Sequence, residues 1–168
     1  MSNDLVKLEG LDSIRKRPGM FIGDIQDGSA LHHLVYEVLD NSVDEYLEGH
    51  CKNIHITLLE NNRISLLDDG RGIPITYNEK QKKTNLELAL EDMFAGGKFS
   101  GENYKKSGGL HGIGIKAVNA LSSYLQVTIY KDNKKYIVEY AKSKQIKPVT
   151  EVLNDTNIKR GTRFIFEP

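Results

Sequence analysis

The sequence predicts an α+β domain, a two-layer sandwich of helices on a mainly antiparallel sheet. One segment carries apolar residues at helical spacing over about four turns. Several short segments alternate apolar and polar residues and are joined by turn-forming residues, as hairpins are. Regular strand–helix–strand alternation, which a parallel sheet requires, is absent from the pattern. Residues 1–168 are expected to form a single domain, and 39% hydrophobic content suffices for a core at that length.

Leu31, Leu34, Val35, Val38, Leu39 and Val43 place an amphipathic helix over Leu31 to Leu47. Asp27-Gly28-Ser29 offers the chemistry for its start, and Gly49 stops it. Ile54, Ile56 and Leu58 alternate, Glu60-Asn61-Asn62 turns the chain, and Ile64 and Leu66 alternate again, so a hairpin leads into Asp68. Leu86 to Phe94 reads as a short helix. Ala95 to Gly109 is a polar, glycine-rich loop, a length that is more often functional than idle. Ile115 to Leu121 reads as a helix starting directly after Gly114. Leu125–Tyr130 and Lys135–Ala141 flank an Asp132-Asn133 turn, and Gly161–Glu167 is the last strand.

Lys plus Arg and Asp plus Glu are 23 each, so no net field draws the chain to nucleic acid or membrane. Arg15-Lys16-Arg17 is too small a basic patch to alter that. The single cysteine, Cys51, excludes a disulfide framework and a cysteine-based zinc site. No apolar run reaches the ~18–20 residues that span a bilayer, and polar residues follow Met1 directly. A cytoplasmic protein without a membrane partner is expected.

Chemistry concentrates in an ordered set of motifs. Glu37, Asn41 and Glu45 lie at i, i+4 and i+8 and, with Glu45 or Asp44 as the third member, share a helix face distinct from the Leu/Val stripe. A solvated surface explains any one of them; in combination with Asp68 and the glycine segments, Glu37 suits a general base and Asn41 a neutral oxygen ligand for Mg2+. Asp68 ends a strand, and its acceptor-only carboxylate suits the exocyclic amine of adenine. Gly70 and Gly72 let the backbone approach a flat ring, with Ile73 and Pro74 as an apolar wall; alone, the segment is also an ordinary Asp-Gly turn. Arg71 is placed to pair with Glu45 at the mouth. Gly108 to Gly114, comprising Gly109, Leu110, His111, Gly112 and Ile113 between them, lets backbone N–H groups converge on an anion at a helix start. A P-loop is excluded because Phe99 follows Gly97-Lys98, and no βαβ unit supports a dinucleotide fold. Lys98 and Lys105 are placed to meet phosphate charge. His111 takes a positional role inside the cradle, and His32-His33 reads as packed or surface.

Glu37–Glu45 (EVLDNSVDE), Asp68–Pro74 (DDGRGIP), Ala95–Phe99 (AGGKF) and Ser107–Gly114 (SGGLHGIG) resemble the ATPase domain of bacterial type IIA topoisomerases. Leu8–Gly23 is similar to the start of that domain and Gly161–Phe164 to its last strand. Within the family, Leu31–Glu37 is closer to the gyrase type, and Asn41–Glu45 also suits the topoisomerase IV type. The resemblance implies the Bergerat (GHKL) ATP-binding fold, with ATP and Mg2+ as ligands. It implies Glu37 as the base that activates water, Asn41 as the Mg2+ ligand, and Asp68 as the adenine anchor with Thr162 beside it. Leu110 to Gly114 are then the phosphate-binding part of an ATP lid that also carries Lys98, Tyr104 and Lys105.

The same resemblance implies that ATP closes two such domains into a dimer that captures DNA, acting with the A subunit of the topoisomerase. Two departures bear on this chain. The arm before Leu8 is short, and the family's γ-phosphate lysine belongs to a transducer domain expected after Pro168. The isolated domain is therefore expected to be a monomer with weak turnover. Lys131 stands where the gyrase pattern tends to have arginine at the pocket edge. The alternatives are a nucleotide sensor of the chaperone or kinase type, which has no need of Glu37, and a nucleic-acid module, disfavoured by the zero net charge and the lack of an aromatic stacking series.

Overall fold

The computed structural model describes residues 10–92 and 113–168. Among them the chain runs α1 (Leu11–Lys16), α2 (Gly19–Ile22), α3 (Ser29–Leu47), β1 (Ile54–Leu58), β2 (Ile64–Asp68), β3 (Tyr77–Asn78), β4 (Lys83–Thr84) and α4 (Asn85–Glu91). It continues as α5 (Gly114–Leu121), β5 (Tyr124–Lys131), β6 (Lys134–Ala141), β7 (Lys144–Val152) and β8 (Gly161–Glu167). Six strands form one sheet in the order β1-β2-β8-β5-β6-β7, antiparallel throughout, and β3 and β4 form a separate ribbon. The helices pack their apolar residues onto one face of that sheet, which is the expected α+β sandwich.

Register shows where the core sits. Leu66 pairs with Phe164, Phe164 with Val127 and Val127 with Val138, and all four side chains are buried. Residues two apart along a strand share a face. Asp68, two beyond Leu66, therefore points to the helix side, beside Thr162, at the end of the sheet.

On α3 the buried positions are Ala30, Leu34, Val38 and Ser42, four apart along one stripe. Burying Leu34 and Val38 stabilises the fold by about 1.5–3 kcal/mol each. Leu31, expected in this stripe, is 51% exposed. Ala30 takes the core side of the first turn, and the next residue is rotated by about 100° around the axis. The helix start also differs in detail. Gly28 is the N-cap, in a left-handed conformation without a side-chain cap, and Asp27 Oδ1 accepts the Ser29 N–H at 2.8 Å.

Helix α4 begins with a capping box between Thr84 and Glu87 and ends at Glu91, short of the expected Phe94, which lies outside the described residues. Strand β7 is not marked by the sequence pattern, because Pro148 interrupts it. As the outermost strand, β7 tolerates a residue with no N–H to donate, and its pairing with β6 shifts register opposite that point. Helices α1 and α2 are too short to show a period. Among the described residues, no helix is long and apolar enough to cross a membrane.

Candidate active site

The site forms where α3 crosses the sheet end that carries Asp68. Asp68 is 5% exposed, and both of its carboxylate oxygens accept hydrogen bonds. Its Oδ2 accepts the Ser42 hydroxyl at 2.7 Å; its Oδ1 accepts the Gly70 N–H at 2.9 Å and the Thr162 N–H at 3.3 Å. A buried carboxylate needs such donors, and a carboxylate has about four acceptor positions, so capacity for a further donor remains. Ser42 is a site residue that the motifs do not single out. It does leave a signal: a serine continuing the Leu34–Val38 stripe stands at a core position, where a hydroxyl requires a partner.

Gly161 makes this approach of β8 to Asp68 feasible. Its φ is 136°, and a Cβ there would collide with the Asp68 carbonyl oxygen and lie 3.2 Å from the Asp69 Cα. The neighbouring Asp69 does separate work. It accepts the backbone N–H groups of Lys52 (2.7 Å) and Asn53 (3.0 Å) and the Asn53 side-chain amide (2.8 Å), tying the entry of β1 to the turn after β2. Partial burial opposes its charge, but these donors outweigh it and hold the carboxyl well below the usual range.

Glu37 and Asn41 lie on one side of α3. The half-buried Glu37 carboxylate sits over the Cα of Gly114, the first residue of α5: a Cβ there would overlap Oε2 and come within 3.4 Å of Cδ. A side chain at this point would require the Glu37 carboxylate to swing aside. The Asn41 Nδ2 donates to the Glu37 carbonyl at 3.0 Å, which assigns the amide orientation and turns Oδ1 away from the helix backbone. Ile113, just before α5, packs against the core.

One turn on, Glu45 and Arg71 form the expected ion pair. Arg71 Nη2 lies 2.7 Å from Glu45 Oε1, Nε lies 3.2 Å from Oε2, and the Arg71 backbone N–H donates to Oε2 at 2.9 Å. Glu48 takes the same Nη2 at 2.6 Å, a second partner the motif does not suggest. Burial pushes the Glu45 carboxyl upward, but the Arg71 bonds dominate and leave it below its ordinary value. Gly72 and Ile73 are half-buried, with Ile73 packed on the core, and Pro74 is exposed. Lys131 is exposed at the end of β5. Lys98, Tyr104, Lys105, Gly109, Leu110, His111 and Gly112 lie outside the described residues. A cavity of about 330 Å3 lined by His55, Leu67, Ile158, Lys159 and Arg160 opens on the other sheet face, behind Asp68 and Asp69.

A carboxylate over a helix start, an outward amide oxygen and a buried aspartate at a sheet end thus converge from separated segments. A family model described as "Histidine kinase-, DNA gyrase B-, and HSP90-like ATPase" matches residues 26–168. The chain belongs to this ATPase family. Among relatives of the ATPase, the DNA gyrase B subunit of Rickettsia prowazekii (strain Madrid E) is 44% identical over 168 residues, covering 99% of this chain and 21% of that protein. The DNA gyrase B subunit of Thermotoga maritima is 47% identical over 161 residues, covering 96% of this chain and 25% of that protein. The crystal structure of the 43K ATPase domain of Thermus thermophilus gyrase B, in complex with an aminocoumarin, superposes with a TM-score of 0.80 at 30% identity. That match covers 94% of this chain and 38% of the other. The ATPase chain spans about a fifth to a quarter of the length of its curated relatives.

Proposed function

We propose that the chain binds ATP with Mg2+ and hydrolyses it as the ATPase domain of a DNA gyrase B subunit. The observation that carries this is the buried Asp68 carboxylate, held by Ser42 and two backbone N–H groups on the same face as Glu37 and Asn41. In this reading Asp68 accepts the adenine amine, with Thr162 beside it, and Gly72 and Ile73 line the ring. Glu45 and Arg71 frame the mouth.

The donor set fits Mg2+ held mainly by its substrate. Among the described residues no cluster of three His, Cys, Asp or Glu forms a metal cage, and Asn41 offers a single outward amide oxygen. Mg2+ keeps several water and phosphate ligands, so one protein oxygen is sufficient. When bound, the ion neutralises phosphate charge. Glu37 takes the proton from a water as that water's oxygen bonds to the γ-phosphorus; the bond to the β–γ bridging oxygen breaks, leaving ADP and phosphate. The backbone from Gly109 to Gly114 donates to the phosphates, with Lys98, Tyr104 and Lys105 in support.

In the longer protein the domain is read as a homodimerising, ATP-driven gate for DNA that works in the cytoplasm with the A subunit of the topoisomerase, without membrane attachment. Residues 1–168 are read as one N-terminal domain, monomeric and slow in turnover on its own. The relatives named above favour gyrase over topoisomerase IV. Supercoiling against decatenation by the reconstituted enzyme separates the two.

The decisive test is Glu37→Ala in a protein extended to the length of these relatives: ATP binding retained and hydrolysis abolished. Unchanged turnover would remove Glu37 from the chemistry. Asp68→Asn should weaken ATP and adenine-site inhibitors alike by calorimetry, since an amide replaces a charged acceptor. Equal affinity would remove Asp68 as the anchor.

A further inference from the structure

Helix α5 buries two polar side chains, Lys116 and Asn119. Asn119 is 0% and Lys116 3% exposed, on a helix whose other buried members are Ala117, Val118 and Ala120. An amide and an ammonium at such positions cost free energy that leucine or methionine would not. They stand at i and i+3, hence on one face of the helix. Asn119 is directed at the end of α4, and Asp92 there is the opposite charge that acts on the buried Lys116. Asn119 Nδ2 donates to the Leu90 carbonyl at 3.0 Å, filling one of the acceptors a helix leaves open in its last turn. Lys116 is desolvated by burial, and the charge offsetting this is Asp92, the residue that caps α4.

The other end of α5 meets the site. Its first residue, Gly114, lies against the Glu37 carboxylate closely enough that a single added carbon would overlap it. With only 8 residues in α5, an axial or tilting shift at Lys116 and Asn119 moves Gly114 by a similar amount. Arg15 Nη1, donating to the Ala120 carbonyl at 2.7 Å, holds the far end of the helix.

We propose that Lys116 and Asn119 are positioning residues for Glu37. By clamping α5 to the end of α4, they hold the Gly114 backbone where it confines the Glu37 carboxylate. This rests on reading Glu37 as the general base. A directional bond from Asn119, with the opposite charge of Asp92 acting on Lys116, specifies one placement of a short helix, whereas apolar packing tolerates several.

The test is single-turnover hydrolysis of ATP, with the 168-residue chain in excess, for wild type, Lys116→Met, Asn119→Leu, Lys116→Arg and Glu37→Gln. Affinity for a non-hydrolysable ATP analogue and the melting temperature are measured on the same samples. The expected result for Lys116→Met and Asn119→Leu is a rate lowered roughly ten- to a hundredfold, as misplacement near 1 Å does, with analogue affinity within about twofold and a melting temperature that does not fall. Lys116→Arg, which retains the charge opposite Asp92, should recover most of the rate. Wild-type rates in both apolar variants, or rate and affinity falling together with stability, would overturn the proposal. Should a variant fail to fold, Asp92→Asn probes the same contact from α4, and a wild-type rate there counts equally against it. A wild-type rate in Glu37→Gln would instead refute the general-base reading itself, a separate outcome.

Discussion

Ser42 Oγ and Asp68 Oδ2 are 2.7 Å apart, and both side chains are buried. The hydroxyl joins α3 to the end of β2, so the helix that carries Glu37 and Asn41 is registered against the Asp68 carboxylate. Ser42→Ala leaves that oxygen of Asp68 without its side-chain donor. A hydrogen bond to a buried charge contributes about 1.5–3 kcal/mol, so a melting curve should show a loss in that range. Adenine-nucleotide affinity measured by calorimetry should fall as well, because Asp68 loses the bond that orients it. An unchanged melting temperature together with unchanged affinity would show that the bond contributes nothing net.

Gly114 is exposed to a different substitution test. Gly114→Ala raises local helix propensity, which alone stabilises by up to about 1 kcal/mol. It also drives a methyl group into the Glu37 carboxylate. The expected outcome is a folded protein whose ATP turnover falls at least roughly tenfold through displacement of that side chain. Near-normal turnover would show that Glu37 can move aside and still act.

Gly161→Ala should be felt in folding first. Its φ of 136° is costly for any residue with a Cβ, and that Cβ meets the Asp68 carbonyl, which is backbone and cannot swing away. Backbone strain alone amounts to about 1–3 kcal/mol. Denaturant unfolding should show at least this loss, and adenine-nucleotide affinity should drop because β8 retreats from Asp68.

Acid should destabilise the domain in a defined direction. Asp69, Glu45 and Glu87 all titrate below their ordinary values, each because hydrogen-bond donors outweigh the opposing effect of burial. A carboxylate with a folded-state pKa below its unfolded one adds stability that is complete above the unfolded value, about 4. That contribution is lost as pH falls through the folded value. Melting temperatures should therefore change little in this respect between pH 7 and 5 and fall progressively below about pH 4. Asp69→Asn should flatten that fall, and an equally steep decline in the variant would exclude Asp69 as a source.

Arg71→Ala should have a small effect on stability. The pair with Glu45 is well formed, but the Arg71 side chain is 41% exposed, so solvent screens much of the attraction. Such pairs contribute about 0–1 kcal/mol. A larger loss in thermal denaturation would show that the Glu45–Arg71–Glu48 cluster acts as a network.

Period and turn chemistry determined α3, the β1–β2 hairpin and the β5–β6 hairpin from sequence, because burial on one face writes itself into residue spacing. The adjacency of Glu37, Asn41 and Glu45 was legible for the same reason, and Asp68 was legible as the end of an alternating run. Short elements left no such trace: α1 and α2 complete too few turns, and Pro148 disguised β7 as a break. Only the tertiary structure brought Ser42 to Asp68, Gly114 to Glu37, Gly161 to the β2 turn and Asn119 to Leu90. Each contact joins segments from about 25 to more than 90 residues apart. Local periodicity reports which face of an element is buried, whereas the partner across the interface is selected by the packing of the whole sheet and its helices.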